Sequence, residues 1–131
     1  PSANYAREYY YDYPSINPLA RFIVAAPGMD QYDVGYYDYT AGSAHWNWLK
    51  STIEEAKTKG LWVIVTSHKP YMNTGSAHGS EDPAKASAGG VSDFFNLLLF
   101  EKVDLMLSGH DHNYQRSKQI GGSSCVYTLN V

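Results

Sequence analysis

Two short apolar runs stand out against the polar residues around them, "LWVIVTS" at 61–67 and "VDLMLS" at 103–108. Both have the length of buried strands. The first is β-branched and apolar nearly throughout, the pattern of a strand covered on both faces in a parallel sheet. "RFIVAAP" (21–27) is a third such run, closed by a proline, and "CVYTLNV" (125–131) a fourth. Between the first two, the periodicity changes. Trp46, Leu49, Ile53 and Ala56 recur at steps of three and four, predicting a helix over 44–59 with one apolar face. Ser43 stands where a cap belongs, and Gly60 where a left-handed residue would end the helix. Glu54, Glu55, Lys57 and Lys59 make its solvated face. "VSDFFNLLLFEK" (91–102) reads as a second, mostly buried helix. "MDQYDVGYYDYTAGS" and the stretch from 68 to about 90 read as loops. Strand, helix, strand, helix, strand is the order of an α/β protein with a parallel sheet.

Composition adds limits. A chain of 131 residues suits one modest domain with a real core. A net charge of −3 speaks against general nucleic-acid binding, which needs a basic footprint. No apolar run reaches membrane-spanning length. The single cysteine, Cys125, allows no internal disulfide and is expected as a small buried hydrophobe. Tyrosine is over-used, with 12 copies concentrated in "YAREYYYDYP" and "DVGYYDYT". Such rings pack an apolar body while the hydroxyl stays wet, and half-buried packing is the expectation for them. There is no signal-peptide pattern, and Pro1 and Val131 are expected to be cut ends.

The chemistry gathers where strands end. His110 and His112 follow the run 103–108 directly, and His68 follows the run 61–67. In an open α/β sheet, ligands bind at that edge. Residues i and i+2 of extended chain point to the same side, so two imidazoles there can reach one metal ion or two neighbouring ones. Gly109 is expected to permit a sharp turn and a close approach. If the two strands are neighbours, three histidines converge. His78 lies in a glycine-flanked loop ten residues beyond His68 and could fold over the same point. His45 has no such company and is expected at the surface. Neutral imidazoles suit zinc, iron or manganese. Two metals about 3.5–4 Å apart could clamp the attacking and leaving oxygens of a phosphoryl transfer, a task that also needs carboxylates.

"SGHDHNYQR" together with "VIVTSHKPYMNTGSAH" resembles the calcineurin-like metallophosphoesterases, most closely their purple acid phosphatase branch. "VDLMLSGH" is similar to that family's approach to its Gly-His-x-His motif, and Gln115 stands where the family commonly has Glu. The resemblance runs over roughly residues 8 to 131. It implies part of a metallophosphoesterase-type α/β sandwich, with a largely buried sheet. Carried over by position, His68 and His110 would ligate one metal and His112 the other. His78 would contact the phosphate and protonate the leaving oxygen, as a catalytic and substrate-binding residue. Asp111 would be a supporting group, and Tyr114 and Arg116 would brace the loop or face substrate. The cofactors implied are two divalent or trivalent ions, of Fe, Zn or Mn. Secretion is implied by the resemblance alone.

The early motifs of that family are missing. There is no Gly-Asp and no Asn-His dipeptide, and Asp30, Asp33 and Asp38 lack those contexts. The resemblance therefore implies that residues 1–131 are the C-terminal half of a phosphoesterase catalytic domain. The other half would be an upstream segment or a partner chain. The intact protein would hydrolyse phosphate esters by in-line attack of a metal-bound hydroxide, and the isolated chain would be inactive. The alternative is a non-catalytic fragment, or a degenerate phosphoesterase fold used in binding or chain pairing. An open strand edge would template such pairing, with Tyr9, Tyr10, Tyr11 and Tyr13 at the interface. Binding of a single metal by the three histidines, unrelated to phosphate, is a third reading; it leaves "PYMNTGSAH" unexplained.

Overall fold

A computed structural model describes residues 8–27, 37–68, 70–71, 91–109, 114–120 and 129–130. Four strands, β1 (Tyr9–Tyr13), β2 (Ala20–Val24), β3 (Trp62–Ser67) and β4 (Leu105–Ser108), form one sheet in that order. Helix α1 (Ala44–Thr58) joins β2 to β3, and α2 (Val91–Phe100) precedes β4. A further pair, β5 (Arg116–Ser117) and β6 (Leu129–Asn130), is antiparallel and separate. The expected α/β class is thus observed. β2, β3 and β4 run parallel, as expected, while β1 is antiparallel to β2.

β1 was not expected from the pattern. Its alternation is real but chemically muted. Tyr10 and Asp12 face the same way as their partners Ile23 and Arg21, while Tyr9, Tyr11 and Tyr13 face the other way. With tyrosines on both faces, no apolar–polar rhythm shows in the sequence. Several bounds also shift. The helix expected to 102 ends at Phe100, because Lys102 turns left-handed at φ 52° and Val103 N donates to Leu98 O at 3.0 Å. The strand expected from 103 begins at 105, and the one expected over 21–27 covers Ala20–Val24. Of the run 125–131, only Leu129–Asn130 lies among the described residues; Cys125 lies outside them.

α1 follows its sequence closely. The Ser43 side chain accepts from Trp46 N at 3.2 Å. Leu49, Thr52, Ile53 and Ala56 are the buried residues of the helix. At the far end Gly60 takes φ 71°. Leu61 N then reaches back to Ala56 O at 3.0 Å, and Gly60 N to Lys57 O at 2.9 Å, the hydrogen-bond pair of a Schellman cap. Leu61 is buried beside Ala56, so the cap also closes apolar surface. Ser43→Ala is expected to cost about 1 kcal/mol, through the loss of the hydroxyl that holds an otherwise orphaned N–H. Chemical denaturation at constant m-value checks it.

Both helices pack on one side of the sheet. Ile23, Val63 and Val65 from the strands meet Leu49, Ile53, Phe94, Leu97 and Leu98 from the helices in a single buried cluster. The physical reason is topological. Right-handed crossovers that step in one direction across a sheet leave their helices on the same face. The opposite face carries Tyr11, Phe22, Ile64 and Leu105, paired across the strands, with Trp62 opposite Ala20 and Leu107 opposite Thr66. β3 was expected to be covered on both sides, and β4 to be a buried strand. Instead Trp62, Leu105 and Leu107 are exposed, at 64%, 47% and 49%.

Arg21 is the most deeply sealed charged group among the described residues, with 1% of its surface exposed. It is fully matched. Nε and Nη2 bind the two Asp12 carboxylate oxygens at 2.7 and 2.9 Å, and Nη1 donates to Glu55 Oε2 at 2.9 Å and Thr52 O at 3.1 Å. The guanidinium carbon lies 4.1 Å from the centre of the Tyr10 ring. Glu55, expected only to face water, therefore ties α1 to β2.

Candidate functional site

The parallel strands bring two of the motif segments together. Ser67 of β3 is level with Ser108 of β4, and just beyond them Gly109 N donates to His68 O at 2.9 Å. The hydrogen bond carries the strand pairing one residue past each strand. The condition set by the sequence, that these two strands be neighbours, is met. His68 and the backbone that leads into His110 thus leave the sheet side by side.

After His68 the chain turns toward α2. Pro70 is buried, and the Tyr71 ring stacks on Phe95 with centroids 4.1 Å apart. These contacts hold the chain just past His68 on the helical side of the edge. His78, His110, His112 and Asp111 lie outside the described residues. Tyr114 is exposed, and Arg116 lies in β5 opposite Asn130. Asp30 and Asp33 are also outside the described residues; Asp38 closes its own turn, accepting from Thr40 N at 2.8 Å and from the Thr40 hydroxyl at 2.6 Å. Those bonds hold its carboxyl below the usual aspartate range.

Gly109 differs from expectation. It does not adopt a left-handed conformation, and a Cβ built there would meet His68 O at 3.7 Å, an ordinary contact. Its contact with the neighbouring strand end does not require glycine.

His45 is a clearer correction. It was expected alone at the surface, yet Nδ1 lies 2.6 Å from Glu8 Oε2 and the ring stacks on Tyr37 at 4.2 Å. The other Glu8 oxygen accepts from the Tyr39 hydroxyl. Tyr39 is fully buried, and burial first, then the bond to Glu8, pushes its phenol far up, so it remains a donor. Glu8 directly precedes Tyr9, which pairs with Val24, so the carboxylate stands at the end of β2. There Ala25 N donates to Thr66 O at 2.9 Å. The cluster therefore braces the same edge of the sheet that His68 leaves. The period-two spacing of Glu8, Tyr10 and Asp12 was the available signal, hidden by the tyrosine run.

Among the described residues no group of three His, Cys, Asp or Glu side chains is arranged to hold a metal. Of the histidines named for that task, His68 alone is described. What these residues offer is a pair of strand ends held in register, with imidazole-bearing positions at or next to each. That fits a nitrogen-ligated metal as far as the donor chemistry goes. No described helix is long and apolar enough to cross a membrane.

The model of the family described as calcineurin-like phosphoesterase matches residues 2–114. Purple acid phosphatase 22 of Arabidopsis thaliana is 33% identical over 86 residues, 65% of this chain and 19% of that protein. Purple acid phosphatase 1 of Ipomoea batatas is 30% identical over 95 residues, 72% of the chain and 19% of the relative. An acid phosphatase of Aspergillus ficuum is 34% identical over 107 residues, 76% of the chain and 16% of the relative. The chain thus spans about a fifth of the length of the curated relatives it matches. No solved structure matches it.

Proposed function

The chain belongs to the calcineurin-like phosphoesterase family, and on that premise we propose that it is the C-terminal half of the catalytic domain of a metal-dependent, acid phosphatase-like hydrolase. The observation that supports this is the backbone bond between Gly109 and His68, which sets the two motif-bearing strand ends side by side. Family membership makes metal dependence the natural premise; a dinuclear centre is the finer proposal. His68 and His110 would hold one ion and His112 the other, each through a neutral imidazole nitrogen. Bound there, such ions supply Lewis-acid activation of water and of the phosphoryl oxygens. The chain's own part is to aim those nitrogens from two adjacent strands. His78, ten residues beyond His68 in the sequence, would contact the phosphate and return a proton to the leaving oxygen. Fe, Zn and Mn all suit this donor set. An extracellular setting is part of the same proposal and rests on the acid phosphatases among the relatives.

The chain carries no Gly-Asp or Asn-His motif, so the carboxylates that a metal pair needs would come from the remainder of the domain. Elemental analysis and turnover of an aryl phosphate test the proposal on two samples. The longest polypeptide that contains this sequence is expected to hold two metals per chain and to hydrolyse the ester. The 131-residue chain alone is expected to do neither. Sustained turnover by the short chain would overturn the half-domain reading, and a metal-free, inert long polypeptide would overturn the hydrolase reading.

A further inference from the structure

We propose that His45 is a further acid–base residue at the edge of the sheet that His68 leaves, and that Glu8 and Tyr39 are positioning residues that keep its proton on Nδ1 and its lone pair on Nε2. This rests on the hydrolase reading above and adds a residue to it. The Glu8 side chain is almost sealed, at 3% exposed, and both of its carboxylate oxygens are engaged. Oε1 accepts from the Tyr39 hydroxyl, and Oε2 lies 2.6 Å from His45 Nδ1. A carboxylate only accepts, so the ring nitrogen that faces it is the one that carries hydrogen. The buried Tyr39 phenol remains a donor, which favours the ionised carboxylate. The neutral ring therefore has its lone pair on Nε2.

A brace alone needs no such arrangement. Taking a carboxylate out of water is costly, and an apolar contact would hold the same segments without it. The imidazole itself keeps 24% of its surface open. Nδ1 is on the sealed carboxylate and one face lies on the Tyr37 ring at 4.2 Å, so the open part is the remainder of the ring, which carries Nε2. No described residue bonds that nitrogen. Its place is set by two contacts. Tyr37 bridges to Pro27, three residues past the end of β2, and Ala25 N donates to Thr66 O, two residues before His68. The ring thus stands beyond the end of β2, beside the strand that leads into His68, on the edge where open α/β sheets bind ligands. The titratable groups around it are Glu8 from the chain before β1, and Tyr37, Asp38 and Tyr39 from the loop before α1; α2 contributes Phe94, edge-on to Tyr39. An imidazole backed by a carboxylate that a third group orients is the arrangement of an acid–base pair. The exchanged proton enters and leaves at Nε2, while the Nδ1 proton stays with Glu8.

Glu8→Gln separates this role from a brace. Glutamine keeps both bonds, its carbonyl accepting from Tyr39 and its amide N–H donating to Nδ1, but it reverses the ring, because the proton moves to Nε2. The sample is the longest polypeptide that contains the sequence, with its histidines labelled by heavy nitrogen. In mildly alkaline solution the His45 signals, assigned by their loss in His45→Gln, are expected to show a protonated Nδ1 and a bare Nε2, and the reverse in Glu8→Gln. With phenyl phosphate, kcat is expected to fall at least about tenfold in both variants, below the roughly 10²–10⁴-fold that a general acid–base group contributes. KM stays nearly constant, and the double variant is no slower than either single one, as for residues that act as a unit. The urea midpoint of Glu8→Gln stays at the parent value. A parent ring protonated on Nε2, or full kcat in Glu8→Gln with the ring reversed, would overturn the proposal. So would a fall in kcat matched by a fall in the urea midpoint, which would leave the cluster a brace. A parent that is inert with Fe, Zn and Mn removes the hydrolase reading and the acid–base role with it, and the nitrogen signals then decide the tautomer alone.

Discussion

If the proposed function holds, His68→Ala in the longest polypeptide that contains this sequence is expected to lower kcat/KM by at least about a hundredfold, because loss even of the groups that orient a metal's ligands costs 10–100-fold. The argument starts from the strand. β3 is held on both sides, by β2 and β4, and its last residues are level with Ser108. A side chain at position 68 therefore leaves a rigid platform. Alanine keeps that platform, because the hydrogen bond that ties position 68 to Gly109 is made by the backbone carbonyl. Fold and function should separate cleanly. The far-ultraviolet dichroism of the variant is expected to match the parent, while its metal content falls to one ion or fewer per chain. Unchanged metal content with unchanged turnover would remove His68 from the proposed site. A variant that lost its fold would show instead that position 68 is structural.

Replacing Arg21 by methionine is expected to lower the unfolding free energy by about 3 kcal/mol, at the low end for breaking a buried ion pair. The low end applies because Asp12 and Glu55 keep some contact with water, with side chains 24% and 47% exposed. The arginine's aliphatic stem is replaced; what goes is the bidentate clamp on Asp12, the donor to Thr52 O and the contact with the Tyr10 ring. The same clamp carries a pH signature. Hydrogen bonding from Arg21 holds the Asp12 carboxyl below its ordinary value of about 3.8. A carboxyl with a depressed folded pKa stabilises fully above its unfolded value, and that contribution disappears as pH falls through the folded value. The parent should therefore lose stability on acidification below about pH 4 more steeply than Arg21→Met does. Urea midpoints measured between pH 6 and pH 2.5 would show it; parallel curves would mean that the clamp contributes nothing that titrates.

Much of the helical layer was legible because each signal was local. Ser43, the Leu49–Ile53–Ala56 spacing and Gly60 act within a turn or two of themselves, and tertiary contact only reinforced what they already favoured. β1 was illegible because its two faces are chemically alike, and only pairing with β2 shows which tyrosines face the helices. His45 failed for a different reason. Its partner Glu8 lies 37 positions away, a distance no local pattern spans. Gly109 looked necessary from its place in a motif, yet its contact with the neighbouring strand end makes no such demand.

The sequence by itself determined the α/β order, the core face of α1 and the placing of candidate ligands directly after two strands, since periodicity and capping are properties of neighbouring residues. The tertiary structure alone decided that β3 and β4 are adjacent, that Arg21 and Glu55 lock α1 to the sheet, and that both described helices lie on one face of it. Those outcomes depend on crossover handedness and on contacts between segments far apart in the chain, which no stretch of sequence encodes on its own.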